Sequence, residues 1–150
     1  MNRRPTRIQA AAVCLRADER GCTEVMLVRT RRRGRWTFPK GGVNVGESTA
    51  AAAGREAAEE AGVGGRVETG LLGAYTTGSG TKLIAAHRLE VTHTGADHES
   101  GRDPQWVSVE HAGRMLSQHR RRRDRRELQR VLRTAVAGWQ PSPLRYFASL

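Results

Sequence analysis

Trp36 to Val63 reads WTFPKGGVNVGESTAAAAGREAAEEAGV, and the spacing of its glycines, glutamates and arginine decides how the rest of the chain is understood. From Gly41 the order is glycine, five residues, Glu47, seven residues, then Arg55-Glu56-Ala57-Ala58-Glu59-Glu60-Ala61-Gly62-Val63. Glu56, Glu59 and Glu60 stand at i, i+3 and i+4, which puts them on one face of a helix. Like charges at that spacing destabilise an isolated helix by roughly a few tenths of a kcal/mol per pair, so a positive partner is expected. Carboxylate oxygens suit a hard divalent cation, Mg²⁺ or Mn²⁺. A solvated acidic face is the ordinary alternative. A net charge of +11 and the glycine-rich approach to the helix argue against it.

The helix itself is legible. Ser48 or Thr49 serves as N-cap, the alanine-rich interior favours helix, and Gly62 ends it in a left-handed conformation. Ala50, Ala53, Ala57 and Ala61 form a stripe of small residues, expected to lie close against a sheet. Gly54 costs about 1 kcal/mol relative to alanine inside a helix, and close packing is the one reason the sequence offers.

The pattern G-x5-E-x7-R-E-U-x-E-E-x-G-U, in which U is a bulky aliphatic residue, resembles the signature of the Nudix hydrolases. Every fixed identity is met, and Ala57 is smaller than the family's usual residue at its position. The resemblance implies a loop-helix-loop in which Glu56 and Glu60 are the principal metal ligands. Glu59 is implied as a further ligand or a base, and the Lys40 main-chain carbonyl as another ligand. It makes Glu47 and Arg55 an internal ion pair, and it leaves the Lys40 ammonium to reach a phosphate. The implied reaction is hydrolysis of a phosphoanhydride, with the metal neutralising phosphate charge and a carboxylate taking the proton of water. The wider run Trp36-x-Phe38-Pro39-Lys40-Gly41-x5-Glu47-Ser48 is similar to the branch containing dinucleoside polyphosphate and diphosphoinositol polyphosphate hydrolases. Glu99-x-x-Arg102-x-x-x-Trp106 resembles a stretch of the diphosphoinositol branch. Glu99 is therefore the candidate carboxylate from outside the motif, with Glu90, Asp97 and Asp103 as alternatives. His93 and His98 are read as surface residues.

At 150 residues the chain is long enough to bury one core. The expected organisation is a single domain over 1–139 with a tail over 140–150 that breaks regular structure. No apolar run reaches membrane-spanning length. The basic-then-apolar start, MNRRPTRIQAAAVCL, is read as a first strand and not a leader, because charges follow at once. Cys14 and Cys22 match neither redox nor zinc spacing, and a cytoplasmic location is expected. The positive charge asks for an anionic partner. A small-molecule polyphosphate is favoured over nucleic acid, no membrane partner is expected, and the sequence is silent on oligomeric state.

Outward from the motif, Ile8–Leu15 and Glu24–Arg29 read as strands around a turn at Asp18–Gly21. The basic loop Thr30–Arg35 enters the motif, and Arg31 and Arg35, with Lys40 and Arg102, are the candidate phosphate contacts. Trp36 and Phe38 are read as core, with base stacking as the competing role. Arg66–Thr76 and Leu83–Thr94 read as strands divided by a turn at Gly78–Gly80. A last strand at Gln105–Val109 precedes helix from Glu110 to Leu116, resuming over Glu127–Trp139. The architecture expected is α/β, an α/β/α sandwich with a mixed sheet. The run Arg120–Arg126 is read as a solvated helix face. Its alternative is a track for the phosphate backbone of an RNA 5′-pyrophosphohydrolase substrate. A nucleotide-binding module without hydrolysis is the rival from another class, disfavoured because all three helix glutamates are present.

Overall fold

Strand β1, Arg7–Ala17, is apolar on both faces because both are covered. Ala10, Ala12 and Cys14 enter one buried cluster, and Ala11, Val13 and Leu15 enter another on the opposite face. The computed structural model describes residues 7–77 and 80–142, and in chain order the remaining elements follow. They are β2 (Thr23–Arg29), β3 (Trp36–Thr37), β4 (Lys40–Gly42), α1 (Thr49–Ala61), β5 (Gly64–Val67) and β6 (Gly73–Thr77). Then come β7 (Lys82–His93), β8 (Gln105–Ser108), α2 (Val109–Ser117) and α3 (Arg122–Val136).

β1 runs parallel to β7, in register from Arg7↔Lys82 to Leu15↔Glu90. On its other edge two strands follow one another, β4 beside Gln9–Ala11 and β2 beside Leu15–Ala17, both antiparallel. β5 and β6 share the free edge of β7 in the same end-to-end manner, while β2 carries β3 and β8. α1 packs on the alanine side of β1, and small residues on both surfaces, Ala10, Ala12, Ala53 and Ala57, let the two backbones approach. α2 and α3 cover the face carrying Val13, Leu15, Ile84 and Phe38. The sequence expectation of a mixed sheet between helices is met.

Several boundaries differ from the sequence reading. The expected strand Arg66–Thr76 is two strands: Glu68 N–H donates to Arg88 O and Leu72 N–H to Ala86 O, so 69–71 leave the ladder at Thr69-Gly70. The turn between β6 and β7 lies partly outside the described residues, at 78–79, but the hairpin pairing Tyr75↔Ile84 is clear. The last strand stops at Ser108, whose hydroxyl caps α2 by accepting from His111 N–H. α3 begins within the arginine run, at Arg122, and ends at Val136, short of Trp139. Within the alanine stripe, Ala52 is buried in place of Ala50, which is half-exposed. Gly54 gains its explanation: a Cβ there would stand 3.0 Å from Val67 Cγ2. Phe38 is fully buried and Trp36 half-buried beneath the Arg29 guanidinium, 4.1 Å from the ring centre, so the aromatic pair belongs to the core. Tyr146 and Phe147, considered for packing back on the domain, lie outside the described residues.

Candidate active site

The loop before α1 is closed by hydrogen bonds that its own residues supply. Ser48 Oγ accepts from Ala51 N–H at 3.0 Å, and Gly62, at φ 67°, ends the helix with its N–H on the Ala57 and Ala58 carbonyls. Thr49 Oγ1 meets Nε2 of the buried His87 at 2.7 Å, while His87 Nδ1 is 2.9 Å from Glu68 O. A carbonyl only accepts, so Nδ1 is the donor. The first turn of α1 is thereby tied to β7.

Arg55 gathers the loop. Its Nε and Nη2 each donate to Glu47 at 2.9 Å, Nη2 also donates to Gly42 O at 2.8 Å, and Nη1 reaches Glu56 Oε1 at 2.8 Å. This is the two-pronged guanidinium–carboxylate geometry. Those bonds hold the Glu47 carboxyl down at about 2, chiefly through Arg55.

Of the three helix glutamates, the structure brings two together. Glu56 and Glu60 are buried, at 9% and 1% exposure, whereas Glu59 is exposed, 3.5 Å from Arg55 Nη1. Burial pushes the Glu56 carboxyl up, and it pushes Glu60 up to about 7 despite an N–H bond from Lys40 to Glu60 Oε1 at 3.0 Å. Ala12 N–H donates to Pro39 O, so the neighbouring pair Ala11↔Lys40 is the non-bonded one of the ladder. Both main-chain groups of Lys40 therefore lie on the strand edge away from β1, toward Glu60. Gly41 completes the cradle, since a Cβ at that position would overlap the Glu56 carboxylate.

Among the described residues no three carboxylate, histidine or cysteine side chains form a ready-made metal cage. The donors nevertheless fit Mg²⁺ or Mn²⁺. Two buried carboxylates and a main-chain carbonyl edge are all-oxygen, and Mg²⁺ commonly uses one or two carboxylates and completes its shell with water and substrate phosphate.

These carboxylates open into a cavity of about 730 Å³ whose wall carries eight Lys or Arg residues and three Asp or Glu. The candidate phosphate contacts Arg31, Arg35, Lys40 and Arg102 all line it. Glu99, the candidate carboxylate from outside the motif, is engaged by two guanidinium groups. Its carboxylate lies 2.9 Å from Arg31 Nη2 and 3.0 Å from Arg102 Nε, and the two guanidinium groups hold it below the usual carboxylate range. Arg102 in turn stands 3.6 Å from Glu60 Oε2. Of the alternatives, Glu90 is buried and pairs with Arg66, and Asp103 with Arg29. The exposed His93 and His98 fit the surface role expected of them.

The same wall includes Gln9, Tyr75, Lys82 and Arg120, none of which the sequence reading singled out for the site. One signal was present for Gln9, a polar residue within an otherwise apolar run. The arginine run is divided by the fold. Arg120 turns into the cavity, while Arg122, Arg125, Arg126, Arg130 and Arg133 line an outer concavity on α3.

A buried carboxylate pair on a capped helix, facing a cation-walled cavity, has the donor chemistry to hold a polyphosphate beside a divalent cation. The comparisons narrow this. The model of the NUDIX domain matches residues 6–131, and the chain belongs to that family. Diphosphoinositol polyphosphate phosphohydrolase 2 of Rattus norvegicus is 35% identical over 117 residues, covering 75% of this chain and 64% of the relative, so the chain spans just under two thirds of that protein's length. A Caenorhabditis elegans Ap4A hydrolase binary complex superposes with TM-score 0.66 at 21% identity, over 96% of this chain and 99% of the other. The NUDIX domain of Shewanella oneidensis NrtR, complexed with ADP ribose, gives 0.67 at 18% identity, over 87% and 88%. Both structural likenesses speak to fold.

Proposed function

We propose that the chain is a Mg²⁺-dependent pyrophosphohydrolase. Its substrate would be a nucleoside diphosphate-linked compound, a dinucleoside polyphosphate or a diphosphoinositol polyphosphate, cleaved at a phosphoanhydride. The observation that carries this reading is the pair Glu56 and Glu60, buried together yet open to a cavity lined by eight basic side chains. The kinship with a diphosphoinositol polyphosphate phosphohydrolase supports the substrate class.

Glu56, Glu60 and the Lys40 carbonyl would hold the metal, with Glu59 as a further ligand or base. Mg²⁺, with Mn²⁺ as a substitute, supplies charge neutralisation at the phosphoanhydride and lowers the pKa of water. Arg31, Arg35, Arg102 and the Lys40 ammonium bind and orient the phosphates. Water adds to one phosphorus, the bridging P–O bond breaks, and the bridging oxygen leaves with the other phosphate. As the base, Glu59 would pass the water proton to solvent from its exposed carboxylate. Glu99 we assign to positioning, because two guanidinium groups occupy its carboxylate and it in turn orients Arg102 beside Glu60.

The exposed cationic concavity on α3 favours a second reading, an RNA 5′-pyrophosphohydrolase. One panel at fixed Mg²⁺ separates the readings: dinucleoside polyphosphates, ADP-ribose, diphosphoinositol polyphosphates and 5′-triphosphorylated RNA. Turnover of a small polyphosphate is expected. Release of neither phosphate nor mononucleotide from any compound would leave only a binding module. Selective, steeply salt-sensitive action on RNA would transfer the assignment to the second reading.

A further inference from the structure

The two sides of α3 are made for different surroundings. Its apolar stripe, Leu128, Val131, Leu132 and Ala135, is buried in the core shared with α2 and the sheet. The opposite side is arginine: Arg122, Arg125, Arg126 and Arg133 are exposed, and with Arg130 they wall an open concavity. Arg122, Arg126 and Arg133 follow at i, i+4 and i+11, within about 40° of one line along the helix, a stripe of about 16 Å.

The two acids of the helix do not cancel this stripe. Asp124 lines the reacting cavity on the other side, and Glu127 pairs with Arg130 at 3.0 Å. Among the described residues Arg122, Arg125, Arg126 and Arg133 form no ion pair, and residues 1–6, 78–79 and 143–150 include neither Asp nor Glu. Where Ser48 and Ser108 cap α1 and α2, the N-cap of α3 is Arg121, whose side chain makes no capping bond. The first N–H groups of α3, at the Arg122 end of the stripe, are thus open to an anion as well. Guanidinium forks suit phosphate oxygens. The apolar face of α3 is already in the core, and the large exposed apolar residues Ile8, Val45, Leu71 and Leu83 lie on other elements, so nothing on this face can enter a bilayer. Nor does it expose an aromatic ring on which the bases of a single strand could stack. What fits is a row of phosphates already fixed in space, and over about 16 Å of axis one strand of a duplex presents roughly four or five.

We infer that the outer face of α3 is a sequence-independent docking surface for the phosphate backbone of duplex nucleic acid. This goes beyond either substrate reading, because the duplex is held outside the reacting cavity. It is a scaffold on which the chain sits, not a compound that it cleaves.

The test needs neither metal nor turnover. Binding of a short mixed-sequence DNA duplex with 5′-hydroxyl ends is followed by fluorescence anisotropy in EDTA, for the full chain and its variants, across a salt series. Neutralisation of phosphates by the unpaired Arg122, Arg125, Arg126 and Arg133 should make log K fall with log salt at a slope of about −3.6, roughly −0.9 for each. Arg122→Gln, Arg126→Gln and Arg133→Gln should each flatten the slope by about one and weaken binding several-fold near ~0.1 M salt. Glu127→Gln, which releases Arg130, should tighten it. Arg35→Gln in the cavity and Arg20→Gln in the turn after β1 remove the same charge elsewhere and should leave binding within about twofold. The three α3 side chains are exposed, so their variants should melt as the wild type does and keep kcat/KM for a small polyphosphate within about twofold. Equal loss from the Arg20 and Arg35 variants would mean general attraction to a basic protein. Binding of the single strand as tight as the duplex, or of phosphatidylserine vesicles with none of the duplex, would name another partner, and a parallel fall in kcat/KM would make the stripe part of the substrate site. Each of these overturns the docking surface. Inactivity of the wild-type chain on every polyphosphate, with duplex binding intact, would refute the hydrolase reading alone.

Discussion

Glu60→Gln keeps an oxygen for the Lys40 N–H but removes a charge from a site that burial makes unfavourable to ionise. Glu56→Gln or Glu60→Gln should therefore fold, yet lose more than about 90% of turnover, at least ~1.4 kcal/mol of transition-state stabilisation. The pH dependence follows from the same residue. An acid whose pKa is raised by folding, here from 4.5 to about 7, adds its full stability below the ordinary value, and that contribution is lost as pH rises through about 7. Metal-free wild type should accordingly melt at lower temperature near pH 8 than near pH 5, and Glu60→Gln should flatten that slope. Saturating Mg²⁺ should raise the melting temperature more near pH 8, where the carboxylate it binds is ionised; an equal rise at both would place the metal elsewhere. Gly41→Ala would thrust a methyl group into the Glu56 carboxylate. A displacement of about 1 Å there should cost roughly a hundredfold in kcat/KM, and activity within a few-fold of wild type would show the cradle to be soft.

At the scale of elements, Arg55 binds the loop to α1 through Glu47 and Gly42 O. Arg55→Ala should lower both activity and melting temperature by clear margins, and an unchanged melting curve would remove its structural role. Gly62 also acts between elements. Beyond its left-handed φ, a Cβ there would strike Ala96 O, and the segment it touches leads to Glu99, whose N–H donates to Glu59 O at 2.8 Å. Gly62→Ala should destabilise the chain by about 1 kcal/mol or more and loosen the Glu99–Arg102 brace, seen as faster amide exchange over 95–102. α1 was readable because its signals are local: a cap at Ser48, carboxylates at helical spacing and a glycine stop. What escaped the sequence depends on partners far along the chain. The outward turn of Glu59, the clamping of Glu99 by Arg31 and the entry of Arg120 into the cavity are set by tertiary packing. The division into β5 and β6 escaped for the same reason, since β7 supplies the ladder for both.

The full chain carries a net charge of +11, and among the described residues basic side chains gather at the cavity and along the outside of α3. Salt should raise KM for a polyphosphate substrate while leaving kcat nearly constant, because screening acts on encounter and binding before it reaches the enclosed centre. A matching fall in kcat would show that ions compete within the reacting site. The expected sandwich is present, and its two cores are divided by the alternation of β1. The pairing of that strand with β7 has a consequence in time. During synthesis β1 emerges first and its parallel partner more than sixty residues later, which is several seconds at about 5–20 residues per second. Until then β1 can be held only by β2 and β4, with one edge and an apolar surface uncovered. The nascent chain should be most prone to aggregate or to need a chaperone in that interval, and should acquire full protease resistance only once α2 and α3, which cover the second face of the sheet, have also cleared the ribosome.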